Sequence, residues 1–167
     1  SKPLESRSSC SRLSPYLSWG NLSARYVWQQ AYESIKKGNS PFQIRSFLSR
    51  LRWNSHFIQR FEMEHNIEFE SVNRGYNEKK KKKVKKYYDS WENGETGYPL
   101  VDASIECLKT TGYLNFRMRS MIVSFLTHHL WQPWQSATFF LAQNFLDFEP
   151  GIHYSQLQMQ AGETGVN

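Results

Sequence analysis

The chain has little cysteine and no long apolar run. Its two cysteines, Cys10 and Cys107, are too few for a disulfide framework or a zinc site and indicate a reducing compartment. No stretch reaches the roughly 18 to 20 apolar residues of a membrane span, and the N-terminal part lacks the apolar segment of a secretory signal. We therefore expect a soluble intracellular protein without a membrane partner, cytoplasmic, or nuclear if the source is eukaryotic.

The sequence also lacks alternation of apolar and polar residues over a useful length, and it has no internal repeat. Its apolar residues recur at helical spacing instead. The sequence therefore predicts an all-α fold, a multi-helical bundle of about five or six helices around one core. The composition is also rich in aromatic residues, at 16%, which suits either an aromatic core or a stacking surface for flat ligands.

Helix ends are predicted by capping residues. Ser14 before Pro15 is typical of a helix start, because a serine caps free N–H groups and proline tolerates the first helical position. A second helix is expected from Asn21 or Ser23 to Lys36. A long amphipathic helix follows over 41–65, with 54–55 as a candidate break. Further helices are predicted from 99 to the glycine at 112, over 118–130 and over 135–145.

The positive charge is concentrated in one segment. The net charge is +6, and seven of the 21 basic residues lie between Lys79 and Lys86, so the remaining 14 face 15 acidic residues. We interpret residues 66–90 as a lysine-rich loop because apolar periodicity fades there. Such a run is most often a solvated, mobile loop and less often a contact for nucleic acid or another anionic surface. A polar linker is expected at 1–9, before one domain at 10–167.

The histidines do not predict a metal site. His128 and His129 with His153, or Glu62 with His65, could be drawn as ligands, but neither set has the spacing of a closed site. We therefore expect no metal.

The segment 91–99, WENGETGYP, resembles the Trp-x-x-Gly-x-Thr-Gly-Tyr-Pro signature of the photolyase and cryptochrome family, and Val-Asp-Ala follows at 101–103. Residues 11–23, SRLSPYLSWGNLS, resemble the loop that grips the FAD diphosphate in that family. The resemblance implies FAD as cofactor and a role for Ser11, Arg12, Leu13 and Ser14 in phosphate binding. It covers residues 10–65 and 87–167, and it implies part of a helical FAD-binding domain. An antenna pigment is implied only if an N-terminal domain is also present.

Two arginines and two acids are further expected beside the flavin. Arg117 and Arg119 lie in an apolar segment and need anionic partners, and Asp147 and Glu149 are the expected ones. The family places an Asp-x-Asp motif there, which this chain replaces with Asp147-Phe148-Glu149.

The resemblance also implies electron-transfer and DNA contacts. Trp134 matches the middle member of the family's tryptophan relay, whereas the flavin-proximal tryptophan has no counterpart near Leu157; Tyr154 and Tyr113 are alternative carriers. DNA contacts are expected at Trp53, Asn54 and Arg50, which stands where dimer photolyases carry a glutamate. Phe116 replaces the usual asparagine before Arg117.

These resemblances imply a monomeric enzyme that repairs pyrimidine photoproducts in DNA, using blue light and electron transfer from reduced flavin. The alternative is a cryptochrome-type photoreceptor that signals to a protein partner without repair. A third hypothesis, a helical adaptor without cofactor, depends on the lysine run alone.

Overall fold

The computed structural model describes residues 10–78 and 81–165, and the linker predicted at 1–9 lies outside them. The described residues are helical and contain no strand, so the all-α prediction is confirmed. Two short 3₁₀ helices, His65–Glu68 and Arg74–Tyr76, and a π turn, Phe125–His129, connect the longer elements. The α-helices in the described residues are α1 Ser14–Ser18, α2 Ala24–Lys36, α3 Pro41–Met63, α4 Lys85–Asn93, α5 Pro99–Thr111, α6 Phe116–Ser124, α7 Gln135–Asn144 and α8 Pro150–Ala161.

Local capping explains some of the helix ends. The Ser23 hydroxyl accepts a hydrogen bond from the Tyr26 N–H at 3.1 Å, which confirms the predicted start of α2. Gly112 ends α5 with φ of +67°, a conformation that glycine adopts without a Cβ penalty. Helix α1 begins at Ser14, as predicted, but Ser14 does not cap it, because Leu13 occupies the cap position without a side-chain hydrogen bond.

Helix α3 is continuous through the candidate break at 54–55. No glycine or proline interrupts it after Pro41, and the Ser55 hydroxyl donates back to the Leu51 carbonyl at 3.4 Å within the same helix. The polar side chains therefore leave the backbone ladder intact.

The core is formed mainly by helices α4 to α8. Leu48, Leu51 and Phe57 of α3 are buried outside that main cluster. The large apolar side chains of this cluster that are fully enclosed come from α4, α5, α6, the π turn, and α7 with the residue before it. They are Trp91, Ile105, Leu108, Ile122, Leu126, Trp134 and Leu141.

In the segment predicted as a lysine-rich loop at 66–90, the described residues 66–78 and 81–90 are more ordered than expected, and α4 begins there at Lys85. The buried Gln158 side chain explains part of this order. Its amide nitrogen donates to the carbonyls of Ile67 and Glu70 at 2.7 and 3.0 Å, and its oxygen accepts from the Val72 N–H at 2.6 Å. A single side chain thus replaces the regular hydrogen bonds that the segment lacks.

Helices α3 and α8 cross closely at Gly151. A Cβ at this position would lie 2.5 Å from the Phe57 carbonyl oxygen and 2.9 Å from the Ile58 Cα. The absence of a side chain at 151 therefore sets the separation of the two helices. Among the described residues, no helix is both long and apolar enough to cross a membrane.

Candidate functional site

The segment that precedes α2 is fastened to residues 113, 146 and 147, more than a hundred positions later in the sequence. The Trp19 indole N–H donates to the Leu146 carbonyl at 2.8 Å, and the Ser18 hydroxyl donates to the Asp147 carbonyl at 3.2 Å. The Cys10 sulfur lies 3.6 Å from the Tyr113 hydroxyl. The phosphate-binding segment that the resemblance indicates, residues 11–23, and the acidic motif at 147–149 are therefore neighbours in the fold.

An open groove of about 390 Å³ lies beside this loop. Two of the predicted phosphate-binding residues, Ser11 and Leu13, line it together with Phe47 of α3. Arg12 has a positive φ of 51°, and its guanidinium lies 5.6 Å from the centre of the Tyr113 ring. The other residues of the groove wall are Leu22, Tyr26, Val27, Gln30 and Ala31.

Arg119 and Asp147 form the anchored ion pair of the site. Their side chains are 27% and 4% exposed, and the Arg119 Nη2 atom donates to Asp147 Oδ2 at 2.8 Å. The Arg119 Nε atom also donates to the Leu114 carbonyl at 2.7 Å, and its guanidinium lies 4.0 Å from the Phe145 ring centre. The arginine is thus fixed on three sides, whereas the buried Asp147 Oδ1 has no hydrogen-bond partner among the described residues.

Arg117 and Glu149, which were predicted to lie with Arg119 and Asp147, do not contact that ion pair. Arg117 is exposed and forms no ion pair with a described residue, because side chains two positions apart on a helix point in directions about 200° apart. Glu149 does not pair with an arginine either. Its Oε2 atom accepts the Ile152 N–H at 2.9 Å and caps the start of α8.

Trp134 lies inside the protein. It is 1% exposed, and its indole N–H donates to the Glu163 carboxylate at 2.8 Å. Burial without water contact suits a relay member, but a route to the surface would need another carrier. Tyr154 stacks on Phe61 with ring centres 5.8 Å apart and donates its hydroxyl to Glu68 at 2.9 Å.

The predicted DNA contacts lie together on α3, where Trp53 and Arg50 are exposed and Asn54 is half-buried. The Trp53 side chain is 51% exposed although it packs beside His56 and Phe57, with ring centres 5.8 and 5.7 Å away. The structure therefore presents an aromatic ring to solvent at the position that the resemblance indicates.

A second open groove, of about 360 Å³, lies between α2 and α3 and was not predicted from the sequence. It is lined by Arg25, Trp28, Arg52 and His56 among others, and the Arg52 guanidinium lies 4.9 Å from the Trp28 ring centre. Two basic residues and an aromatic ring on one face suit a phosphate-bearing ligand. The four-residue spacing of Arg52 and His56 could have indicated that they share one face of α3. The sequence gives no such indication for Trp28, because it lies on α2.

His153 is a further residue that sequence reasoning missed as part of this site. Its ring nitrogen Nε2 lies 3.0 Å from the Thr138 carbonyl, so the neutral ring donates Nε2–H there. Burial, with a smaller contribution from the Arg119 charge, lowers the pKa of His153 to about 4 from 6.5. The Thr138 bond and Asp147 oppose that change.

We expect His153 to make the protein less stable in mild acid. Between pH 6.5 and about 4 the unfolded chain binds a proton at this site that the folded chain does not, so stability falls as pH drops through that window. Comparison of urea unfolding at about pH 7.5 and about pH 5 should show an extra loss of about 2 kcal/mol. His153→Gln should remove that extra loss, whereas the exposed His65→Gln should retain it; equal losses in both variants would contradict the assignment.

The comparisons with known proteins agree on one family. A family model described as the FAD binding domain of DNA photolyase matches residues 47–167. The deoxyribodipyrimidine photo-lyase of Alkalihalophilus pseudofirmus is 28% identical over 151 residues, which cover 90% of this chain and 31% of that protein. The chloroplastic/mitochondrial cryptochrome DASH of Solanum lycopersicum is 28% identical over 156 residues, covering 90% and 26% respectively.

Solved structures show the same fold. A bacterial class III photolyase from Agrobacterium tumefaciens superposes with a TM-score of 0.87 at 24% identity, covering 93% of this chain and 32% of that one. An archaeal photolyase from Sulfolobus tokodaii, solved with two FAD molecules, gives 0.79 at 28% identity, covering 91% and 33%. The chain thus spans about a third of these proteins' length. It belongs to the family of FAD-binding domains of DNA photolyases and cryptochromes, whose cofactor is FAD.

Proposed function

We propose that the protein containing this domain repairs pyrimidine photoproducts in DNA, using blue light and an electron from reduced FAD. The observation that carries the proposal is the arrangement of α3, which lines the loop-side groove through Phe47 and presents the exposed Trp53 six positions later. Six residues of helix span about 9 Å along the axis and place the two side chains about 120° apart around it, so a flavin in the groove and a base on Trp53 would lie at neighbouring levels of α3.

The residues around the groove fit FAD. Ser11 offers a hydroxyl at its rim, and Leu13, Val27 and Phe47 offer apolar surface. Asp147 is joined to the segment before α2 by the Ser18 hydroxyl, and its buried Oδ1 is an acceptor without a partner among the described residues, so a ligand N–H could satisfy it. When bound, FAD would supply the light-excited electron donor.

The protein side chains would hold and orient this group. We assign phosphate binding to Ser11, Leu13 and Ser14, and we expect Arg12 to contribute charge from its place over Tyr113. Arg119 would hold the Asp147 carboxylate in one orientation through its hydrogen bond to Oδ2. Arg117 and Glu149 would act indirectly, the latter by fixing the start of α8.

Trp53 would receive the damaged bases. An enzyme that acts on a base in DNA must extrude it from the stack, and the extruded base needs an aromatic or apolar face to stack on. Arg50, Arg52 and Asn54 lie within three positions of Trp53 in the sequence of α3, and their donors suit the flanking phosphates. The compartment would be one that holds DNA; the tomato relative is described as chloroplastic/mitochondrial.

Electron supply to the resting flavin would use Trp134, Tyr154 or both. Trp134 is held in a buried hydrogen bond, and Tyr154 lies in the aromatic series Phe61, Tyr154 and His153. Such contacts fix ring positions, which electron transfer requires. Slower light-driven flavin reduction in Trp134→Phe than in Tyr154→Phe would favour Trp134.

A second candidate is a photoreceptor of cryptochrome type. Two substitutions on exposed positions favour it: Arg50 stands where dimer photolyases carry a glutamate, and Phe116, 64% exposed, stands where an asparagine is usual. Light-driven flavin reduction would then change the affinity for a protein partner and leave DNA damage unrepaired.

The deciding experiment is illumination of dimer-containing DNA with the intact flavin-loaded protein, with restored thymine measured by chromatography. We expect restoration, and we expect Trp53→Ala to weaken binding of damaged DNA roughly 10-fold because one stacking face is lost. Phe42→Ala, which removes an exposed aromatic ring from the same helix, is the matched control and should bind normally. Flavin reduction in light without any restored base would assign the protein to the photoreceptor class.

A further inference from the structure

The lysine segment 81–86 is fastened to residues after α6. The Lys81 ammonium donates to the Thr127 carbonyl at 2.7 Å, and the Val84 N–H donates to the side-chain oxygen of the buried Gln132 at 2.8 Å. The sequence favoured a solvated loop here, but these bonds hold the segment at one place on the surface. Its charges are therefore presented in a fixed arrangement.

Trp131 is exposed beside this segment in a strained conformation. Its side chain is 64% exposed, and its φ is +55°, which is rare for a bulky residue. It follows the π turn Phe125–His129, and the Lys81 ammonium lies 4.3 Å from its ring centre. Strain of this kind persists where the surrounding structure enforces it and is concentrated at functional sites.

Three lysines of the segment have no acidic partner within residues 10–78 and 81–165. Lys82, Lys83 and Lys86 are exposed and form no ion pair with a described residue. Lys83 lies over the Tyr88 ring, 3.5 Å from its centre. The segment therefore carries unneutralised charge next to an exposed ring.

The acidic groups nearby already have partners. Asp89 pairs with Lys85 at 2.5 Å, and Glu92 accepts the Tyr88 hydroxyl at 2.8 Å. Glu163 attracts Lys81 but accepts the indole N–H of the buried Trp134. None of these acids pairs with Lys82, Lys83 or Lys86.

We propose that Lys82, Lys83, Lys86 and Trp131, the Lys–Trp131 surface, bind single-stranded nucleic acid without sequence preference. The lysines contact phosphates, and an unpaired base stacks on the Trp131 ring. A duplex keeps its bases inside the stack, so it offers only the phosphate contacts. An anionic membrane fits less well, because the Lys81 ammonium on the ring opposes insertion of Trp131 into acyl chains. This surface uses none of the residues assigned to the flavin or to damaged bases.

The test is fluorescence anisotropy in the dark with the full chain and a labelled, undamaged oligo-dT of about 15 nucleotides. Substitution of Lys82, Lys83 and Lys86 by Gln should weaken binding and reduce the salt slope by about 2, because three single-strand phosphate contacts are lost. The control carries Gln at Lys36, Lys37 and Lys109, which has the same charge change elsewhere.

Trp131→Gly should weaken oligo-dT binding roughly 10-fold, and glycine tolerates the positive φ, so the variant is expected to fold. Trp131→Phe should restore most of the affinity. The proposal is overturned if the lysine variant binds like its control, if Trp131→Gly binds like the unmodified chain, or if duplex or phosphatidylserine vesicles bind as tightly as oligo-dT. These readouts need neither light nor repair, so they are independent of the photolyase proposal.

Discussion

Replacement of Gly151 by Ala is expected to lower the free energy of unfolding by about 3 kcal/mol. The new methyl group would lie 2.5 Å from the Phe57 carbonyl oxygen, where the backbone of α3 has no free rotation by which to move aside. The helices would have to separate, with loss of packing along their whole contact. The measurement is urea unfolding followed by circular dichroism.

The expected loss of stability is opposite in sign to the usual effect of a Gly→Ala substitution in a helix. In a helix with space for the methyl group, Gly→Ala stabilises by roughly 0.5 to 1 kcal/mol, because alanine has fewer unfolded conformations. Gly38→Ala is the control: no atom lies within 4 Å of its Cβ, and only the φ of +87° opposes alanine. Gly38→Ala should lower the free energy of unfolding by about 1 to 2 kcal/mol. Unchanged or increased stability of Gly151→Ala would show that α3 and α8 are further apart than described.

Gly151→Ala should also separate the two halves of the candidate site. Phe47 and Trp53 belong to α3, whereas Asp147 and His153 belong to the start of α8 and the turn before it. We therefore expect weaker FAD binding, measured by flavin absorbance after gel filtration with added FAD. If the variant retained as much flavin as the unmodified chain, flavin binding in the groove would not depend on the contact between α3 and α8.

Replacement of Arg119 by Met is expected to destabilise the protein by about 3 kcal/mol. Asp147 is 4% exposed and would keep a buried charge without its only ionic partner among the described residues. Urea unfolding at about pH 7 measures this loss.

Two further variants test whether the unpaired charge of Asp147 causes the destabilisation. Lys85→Met breaks the exposed pair with Asp89 and should cost no more than about 0.5 kcal/mol. Arg119→Met combined with Asp147→Leu should recover much of the stability, since no unpaired charge remains, but it should not recover FAD binding. A double variant as unstable as Arg119→Met would indicate that the contacts of Arg119 with Leu114 and Phe145 matter more than its charge.

Sequence reasoning was most successful where the cause is local. The Ser23 cap and the Gly112 stop depend on backbone groups within a few residues, so both positions were predicted from residue type. The family signature at 91–99 is likewise contiguous. The cap at Ser14 was wrong by one position, because the first turn of a short helix is weakly specified.

Long-range geometry was predicted only in part. Asp147 was expected near Arg119 and lies there, but Arg117 and Glu149 do not join them, because helix rotation and a local cap decide where those side chains point. The charge of the lysine segment was evident, whereas its attachment at Thr127 and Gln132 depends on a turn that comes later in the chain.

The sequence by itself determined the helical class, most helix ends and the family, because propensity, capping and contiguous motifs are properties of neighbouring residues. Only the tertiary structure decided that Gly151 sets the distance between α3 and α8, that the half-buried His153 lies within electrostatic reach of Asp147 and that the exposed Trp131 ring lies against the Lys81 ammonium. These facts depend on how helices rotate and cross when they bury a shared core, and such contacts join residues that no local pattern relates.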